Sequence, residues 1–223
     1  LGDVRDKERP FALYISWNPP HSPYDQVPQK YLDLYPDVTL KDNVCLKDIH
    51  HHTGEPVPYT PEQMKLATRQ YYAAVSGLDD QFGRLMNYLE ETGQREQTLV
   101  IFMSDHGEMN GDHGLYWKGA YFYEALVHIP LIMSCPSLFK SVLKSDALVE
   151  LVDLAPTLME LTGQEVPYYM QGKSLLPILT GQAEPHHHKD SVYSEFYHCL
   201  LGSHDNIYAT MYYDGRYKIV NYH

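Results

Sequence analysis

Apolar and polar positions change their spacing several times along the chain, and each change marks an element. Pro10 to Trp17 (PFALYISW) is an apolar, aromatic run that stops at Asn18-Pro19-Pro20-His21-Ser22-Pro23, where three prolines forbid a strand or helix to continue. The pattern predicts a buried strand that delivers His21 onto a stiff loop. Gln29 to Tyr35 predicts a short helix, and the stretch on to Tyr59, with His50-His51-His52, reads as irregular surface. Thr60-Pro61-Glu62-Gln63 then combines an N-cap threonine, proline at the first helical position and glutamine at the capping-box position. Apolar residues follow at Met64, Ala67, Tyr71, Val75, Leu78, Phe82, Leu85 and Leu89, in steps of three and four, until Gly93 supplies a stop. A long amphipathic helix is expected there.

Thr98 to Met103 is a continuous β-branched and apolar run of the kind found in strands covered on both faces, and it ends at Ser104-Asp105-His106-Gly107. A long helix feeding a buried strand predicts an α/β fold with a mainly parallel, doubly wound sheet, whose ligands sit beyond the carboxyl ends of the strands. Ile129 to Ser134 reads as another buried strand and Ala147 to Leu151 as a shorter one. Asp153 can cap the helix that follows, with Leu154, Leu158 and Leu161 inward and Gly163 closing it. From Ser191 the runs become aromatic and strand-like, and Asp214-Gly215 gives a two-residue hairpin signal. The expected organisation is an α/β unit over residues 1–180, a linker at Thr180 to Lys189 holding a second histidine triplet, and the start of a small antiparallel sheet over 190–223.

Composition narrows the function classes. With 223 residues, 43% hydrophobic and 21% charged, the chain has enough apolar surface for a real core and does not read as disordered. A formal net charge of −12 disfavours a surface that tracks phosphate backbones, so nucleic acid is not an expected partner. The longest apolar stretches are strand-sized, far below the roughly 20 residues of a membrane span. The opening Leu1-Gly2-Asp3 has neither an initiator methionine nor a leader pattern, which reads as a chain cut from something longer, with compartment undetermined. Cys45, Cys135 and Cys199 are odd in number and far apart, and read as inert or buried thiols.

The densest polar cluster is Ser104 to Gly114 (SDHGEMNGDHG), followed by Lys118. Three glycines and seven polar side chains directly after a buried strand are hard to explain as packing. Asp105 and His106 can both turn toward one cation, the carboxylate giving charge and the imidazole a neutral nitrogen. Lys118, in Trp117-Lys118-Gly119, can neutralise an oxyanion, and His21 can act as a general acid if the fold brings it close. Each of these alone also reads as an ordinary surface group. Asp112 and His113 read equally as support for the cluster or as plain loop, and both histidine triplets, 50–52 and 186–188, as solvated loops.

Read together, Phe11 to Tyr24, Tyr72 to Asp79, Thr98 to Met133, Leu151 to Leu158 (LVDLAPTL) and Gln171 to Pro177 (QGKSLLP) resemble consecutive blocks of the sulfatase family, within the alkaline phosphatase superfamily. The resemblance implies that Asp105 and His106 are metal ligands, with Asp105 also assisting the nucleophile. It implies that Lys118 binds the sulfate and its bridging oxygen, and that His21 faces the scissile bond. The implied activity is hydrolysis of a sulfate ester, with a sulfated small molecule or glycan as substrate. The implied cofactors are a divalent metal, calcium first, and a formylglycine nucleophile. Export to a periplasmic, lysosomal or extracellular compartment is common among such relatives.

Two departures from the family pattern bear on this. No Cys or Ser of the chain stands in a C/S-x-P-x-R pattern, and the Asp pair of the family's N-terminal half is absent, so the expectation is a C-terminal part that needs the other half of the enzyme and is inactive alone. His106 stands where many sulfatases have asparagine, which suits manganese or zinc better than calcium and resembles phosphonate monoester and phosphodiester hydrolases of the same superfamily. Those hydrolases and a non-enzymatic binding module are the alternative readings.

Overall fold

The computed structural model describes residues 5–40, 60–139, 144–197 and 207–223. His50–His52, Cys45 and Cys199 lie outside the described residues. The dominant element is helix α2 (Pro61–Glu91), preceded by a single turn, α1 (Gln29–Leu32). Thr60 accepts from the Gln63 N–H while the Gln63 side chain accepts from the Thr60 N–H, so both halves of the expected capping box are made. Such a cap contributes about 1 kcal/mol. Met64, Ala67 and Leu89 of the predicted stripe are buried, but Val75 is exposed and Ala73 and Ala74 are buried beside it. α1 is fastened to α2 by Tyr31, whose hydroxyl donates to Asp80 at 2.8 Å.

Strand β1 (Val100–Met103) packs on α2 through Phe82 and Phe102, whose rings meet edge to face at 5.2 Å. Its neighbour β2 (Leu131–Ser134) pairs with it antiparallel, Val100 opposite Ser134 and Met103 opposite Leu131. Parallel neighbours are not among the described strands, and β1 is half-buried rather than covered on both faces. Phe11 to Trp17 forms no regular element and pairs with no described strand, and Leu13 and Tyr14 are exposed. Apolar content favours a strand, yet a ladder needs a partner, and no described segment provides one. The same applies to Ala147 to Leu151, which is irregular and runs into a 3-10 turn at Leu151–Asp153.

Helix α4 (Leu154–Leu161) buries Pro156 and Thr157 and leaves Leu158 exposed, unlike the predicted face. Asp153 does not cap it. Its carboxylate accepts instead from the Glu150 and Lys173 N–H groups at 2.9 and 2.8 Å, a contact across 20 residues that local pattern does not show. Gly172 makes this approach feasible, since a Cβ there would lie 2.0 Å from the Val152 carbonyl oxygen.

The remaining elements are α3 (Glu124–Val127), α5 (Leu176–Leu179) and an antiparallel sheet of β3 (Val192–Tyr197), β4 (Tyr208–Tyr213) and β5 (Lys218–Tyr222). The β4–β5 connection is four residues, not two, because the Asp214 side chain accepts from the Arg216 and Tyr217 N–H groups. Ala209 and Met211 bury Phe122, and Lys218 and Tyr222 donate to the Phe122 and Ala120 carbonyls at 2.9 and 2.8 Å. The sheet therefore rests on the segment that immediately follows Lys118.

Candidate active site

The loop between β1 and α3 carries three of the four residues singled out in the sequence. At its start the Gly107 N–H donates to Leu126 and the Glu108 N–H to Ala125, at 2.9 and 3.1 Å. A Cβ at Gly107 would sit 1.9 Å from the Ala125 oxygen, so only glycine allows this contact. Farther along, Asn110, Gly111, His113, Gly114 and Trp117 all have positive φ. Such a conformation is unusual for a bulky residue like Trp117, and strain of this kind, of order 1–3 kcal/mol per residue, gathers where side chains must be aimed.

Asp105 and His106 form the first pair. The Asp105 carboxylate accepts from the His106 N–H at 2.9 Å. The His106 Nδ1–H donates to the Gly107 carbonyl at 2.8 Å, which fixes the tautomer and leaves Nε2 with its lone pair outward. Nε2 and Asp105 Oδ2 are 3.7 Å apart, a spacing at which both can reach one cation at bonds of about 2.0–2.5 Å. Donor set and geometry fit a divalent metal, but only as part of a shell. Among the described residues no group of three or more His, Cys, Asp or Glu converges as a metal site.

His21 and Lys118 form the second pair, across 97 residues of chain. The His21 loop is a tight turn closed by its own N–H donating to Asn18 at 3.0 Å. Its Nδ1–H donates to the Ser22 carbonyl at 2.7 Å, so Nε2 is the acceptor and the Lys118 ammonium donates to it at 2.5 Å. His21 is exposed and Lys118 half-buried. A cleft of about 510 Å³ opens beside them, lined by Ser22, Pro23, Tyr24, Leu66, Ala67 and Trp117 among others. No hydrogen bond or ion pair joins this pair to Asp105 and His106 among the described residues.

Glu108, which sequence reasoning counted within the polar cluster but did not single out, lies between these groups. Burial pushes its carboxyl above the usual range, opposed by hydrogen bonds from the Asn110 backbone, the Tyr24 hydroxyl and the Trp117 backbone and by the Lys118 charge. The Tyr24 hydroxyl donates to Oε2 at 3.0 Å and the Asn110 N–H to Oε1 at 3.1 Å. Burial and the Glu108 charge in turn hold the Tyr24 phenol protonated well beyond its ordinary range. The signal available in sequence was a glutamate between Gly107 and the apolar Met109, inside an otherwise polar, glycine-rich run. Asp112 is buried, and His113 stacks on Tyr123 at 4.2 Å. Of the second histidine triplet, His186 and His187 are exposed as expected, but His188 is 3% exposed, against Asp153. Cys135 is buried, as expected of an inert thiol.

The sulfatase family model matches residues 3–164, and the model for the C-terminal part of N-sulphoglucosamine sulphohydrolase matches 111–223. The chain belongs to the sulfatase family. Among curated relatives of this sulfatase-family chain, the uncharacterized sulfatase YidJ of Escherichia coli (strain K12) is 34% identical over 178 residues, covering 77% of this chain and 35% of the relative. A solved structure in complex with its substrate D-glucosamine-2-N,6-O-disulfate aligns with TM-score 0.65 and 29% identity, over 72% of this chain and 32% of the other. A phosphonate monoester hydrolase from Silicibacter pomeroyi aligns with TM-score 0.63 and 31% identity, over 75% and 34%. The α/β fold of the alkaline phosphatase superfamily is thereby established, and the chain spans about a third of the length of these relatives. No described helix is long and apolar enough to cross a membrane.

Proposed function

We propose that this chain is part of a sulfuric ester hydrolase that releases sulfate from a sulfated sugar. The observation that carries the reading is the Lys118–His21 contact at 2.5 Å, at the edge of a cleft of about 510 Å³. An ammonium beside a sulfate oxygen neutralises charge where it develops. His21, locked as the Nδ1–H tautomer by Ser22, can take a proton from Lys118 at Nε2 and pass it to the departing alcohol oxygen. The leaving group would lie along the cleft wall formed by Tyr24 and Trp117. Asp105 and His106 would hold a divalent cation, calcium first and manganese or zinc as alternatives, whose bound charge screens the sulfate oxygens.

No residue of this sequence stands in the pattern for formylglycine. The nucleophile and the rest of the metal shell are proposed to come from polypeptide of the length seen in the relatives. Phosphonate monoester hydrolysis is the second reading, favoured by the 31% identity to such an enzyme and by the imidazole of His106. The deciding experiment compares p-nitrophenyl sulfate with the p-nitrophenyl ester of phenylphosphonate in the protein at full natural length. Faster sulfate release, reduced roughly 10²–10³-fold by Lys118→Ala, is the expected result. Faster phosphonate hydrolysis would establish the second reading, and an indifferent Lys118→Ala would remove both.

A further inference from the structure

The loop that carries His21 has few attachments. Its prolines offer no backbone donors, and the residues before it, 11–17, pair with no described strand. Among the described residues its side-chain hydrogen bonds to the rest of the molecule near His21 are made by His21 itself and by Tyr24, three positions on. Tyr24 packs against the buried cluster of Met64, Ala67 and Tyr116, edge to face with Tyr71 and Tyr116 at 6.1 and 6.3 Å. Its hydroxyl then reaches the Glu108 carboxylate.

Met109, the next residue, donates its N–H at 2.9 Å to the carbonyl of Trp117, the residue with φ of 62° that immediately precedes Lys118. Glu108 is thus joined on one side to the His21 loop and on the other, through the adjacent Met109, to the strained residue that aims Lys118. We infer that Tyr24 and Glu108 are positioning residues of the site, a hydrogen-bonded strap that sets the spacing of His21 and Lys118. The inference rests on the proposed role of those two residues. Both strap residues act through the two they hold: the phenol anchors the loop in the core, and the carboxylate ties that loop to the backbone that meets Trp117. Misplacement of a reacting group by an ångström costs far more in rate than in stability, and that is the signature to look for.

The test uses the full-length protein with p-nitrophenyl sulfate turnover, inorganic sulfate affinity by calorimetry, and the urea midpoint as a control for folding. Tyr24→Phe removes only the hydroxyl, Glu108→Ala removes the acceptor, and Glu108→Gln keeps an acceptor oxygen for Tyr24. The expected result is a loss of about tenfold in kcat and in sulfate affinity for Tyr24→Phe. Glu108→Ala should lose at least as much and Glu108→Gln should recover most of it. The double variant Tyr24→Phe/Glu108→Ala should be no worse than Glu108→Ala, because both changes cut one connection. Additive losses, or losses that only track the urea midpoint, would overturn the strap. Lys118→Ala separates the two levels: if it leaves turnover and sulfate affinity intact, the site reading fails. If it abolishes them while Tyr24→Phe and Glu108→Ala do not, the strap alone fails.

Discussion

Two histidines of this chain face charged partners far away in sequence, and their surroundings are opposite. His21 meets Lys118 at an exposed cleft edge, with one nitrogen tied to Ser22 and the other presented to the ammonium. His188 is buried against Asp153, which has no exposed surface, and Lys189 donates to Asp153 and Glu150 at 2.6 and 2.5 Å. Lys173 closes this second group by donating to the His188 carbonyl at 2.5 Å. Burial opposes the Lys189 charge, but its hydrogen bonds to Asp153 and Glu150 outweigh that and hold its pKa above the ordinary value. A half-buried cation at a cleft edge, held by one exposed imidazole, is free to exchange partners when an anion arrives. One held between two carboxylates, one of them with no exposed surface, is not, so the first arrangement suits chemistry and the second holds the linker and β3 to the start of α4.

The largest effect that sharpens this contrast is expected at Asp153. Asp153→Ala strips the acceptor from the Glu150 and Lys173 N–H groups and leaves the Lys189 ammonium with one carboxylate in a buried setting. Breaking one side of a buried ion pair costs about 3–5 kcal/mol, which urea denaturation of the full-length protein would read directly. Lys118→Ala should leave the same midpoint nearly unchanged while removing activity. A small loss at Asp153, or a large one at Lys118, would dissolve the distinction between the two sites.

A smaller effect is expected from pH. Burial pushes the His188 imidazole below its ordinary pKa, with Asp153 pulling it up and Lys173 and Lys189 pushing it down. In the unfolded chain this histidine takes a proton near pH 6.5, whereas in the folded state it stays neutral to lower pH. The unfolded state therefore binds more protons below about pH 6.5, and the His188 contribution to stability is fully present above that value and declines as pH falls through it. His188→Gln should flatten the stability profile between pH 6.5 and 5.5 relative to the unsubstituted protein. An unchanged profile would mean that His188 titrates like an exposed histidine and is not the counterpart of His21 drawn here.

Helix α2, its cap and the position of Asp105 and His106 at a strand end are legible in sequence, because periodicity, capping and strand ends are properties of a few neighbouring residues. The pairing of His21 with Lys118 enters only through resemblance, since a separation of 97 positions carries no local record of it. Glu108 and Asp153 show the limit from the other side. Both are acidic residues in polar or cap-like settings, and their actual partners, Tyr24 and Lys173, are 84 and 20 positions away. The unpaired run at Phe11 to Trp17 fails for the same reason: strand propensity is written in the segment, but the neighbour that would complete a ladder is not.

The smallest effect is expected two residues from His188. His186 Nδ1 lies 2.5 Å from Asp146, as short as any contact in the buried group, and the Asp146 carboxyl is held below its ordinary range chiefly by that hydrogen bond and then by its own backbone. Both side chains are more than half exposed, 54% and 85%. Water solvates each partner well when the other is removed, so a short distance by itself confers little stability. His186→Ala should therefore leave the urea midpoint within measurement error of the parent, while His188→Ala lowers it clearly. If the two substitutions were equally damaging, proximity rather than burial would set the worth of these contacts, and the exposed His21–Lys118 pair would have to be counted as structural too.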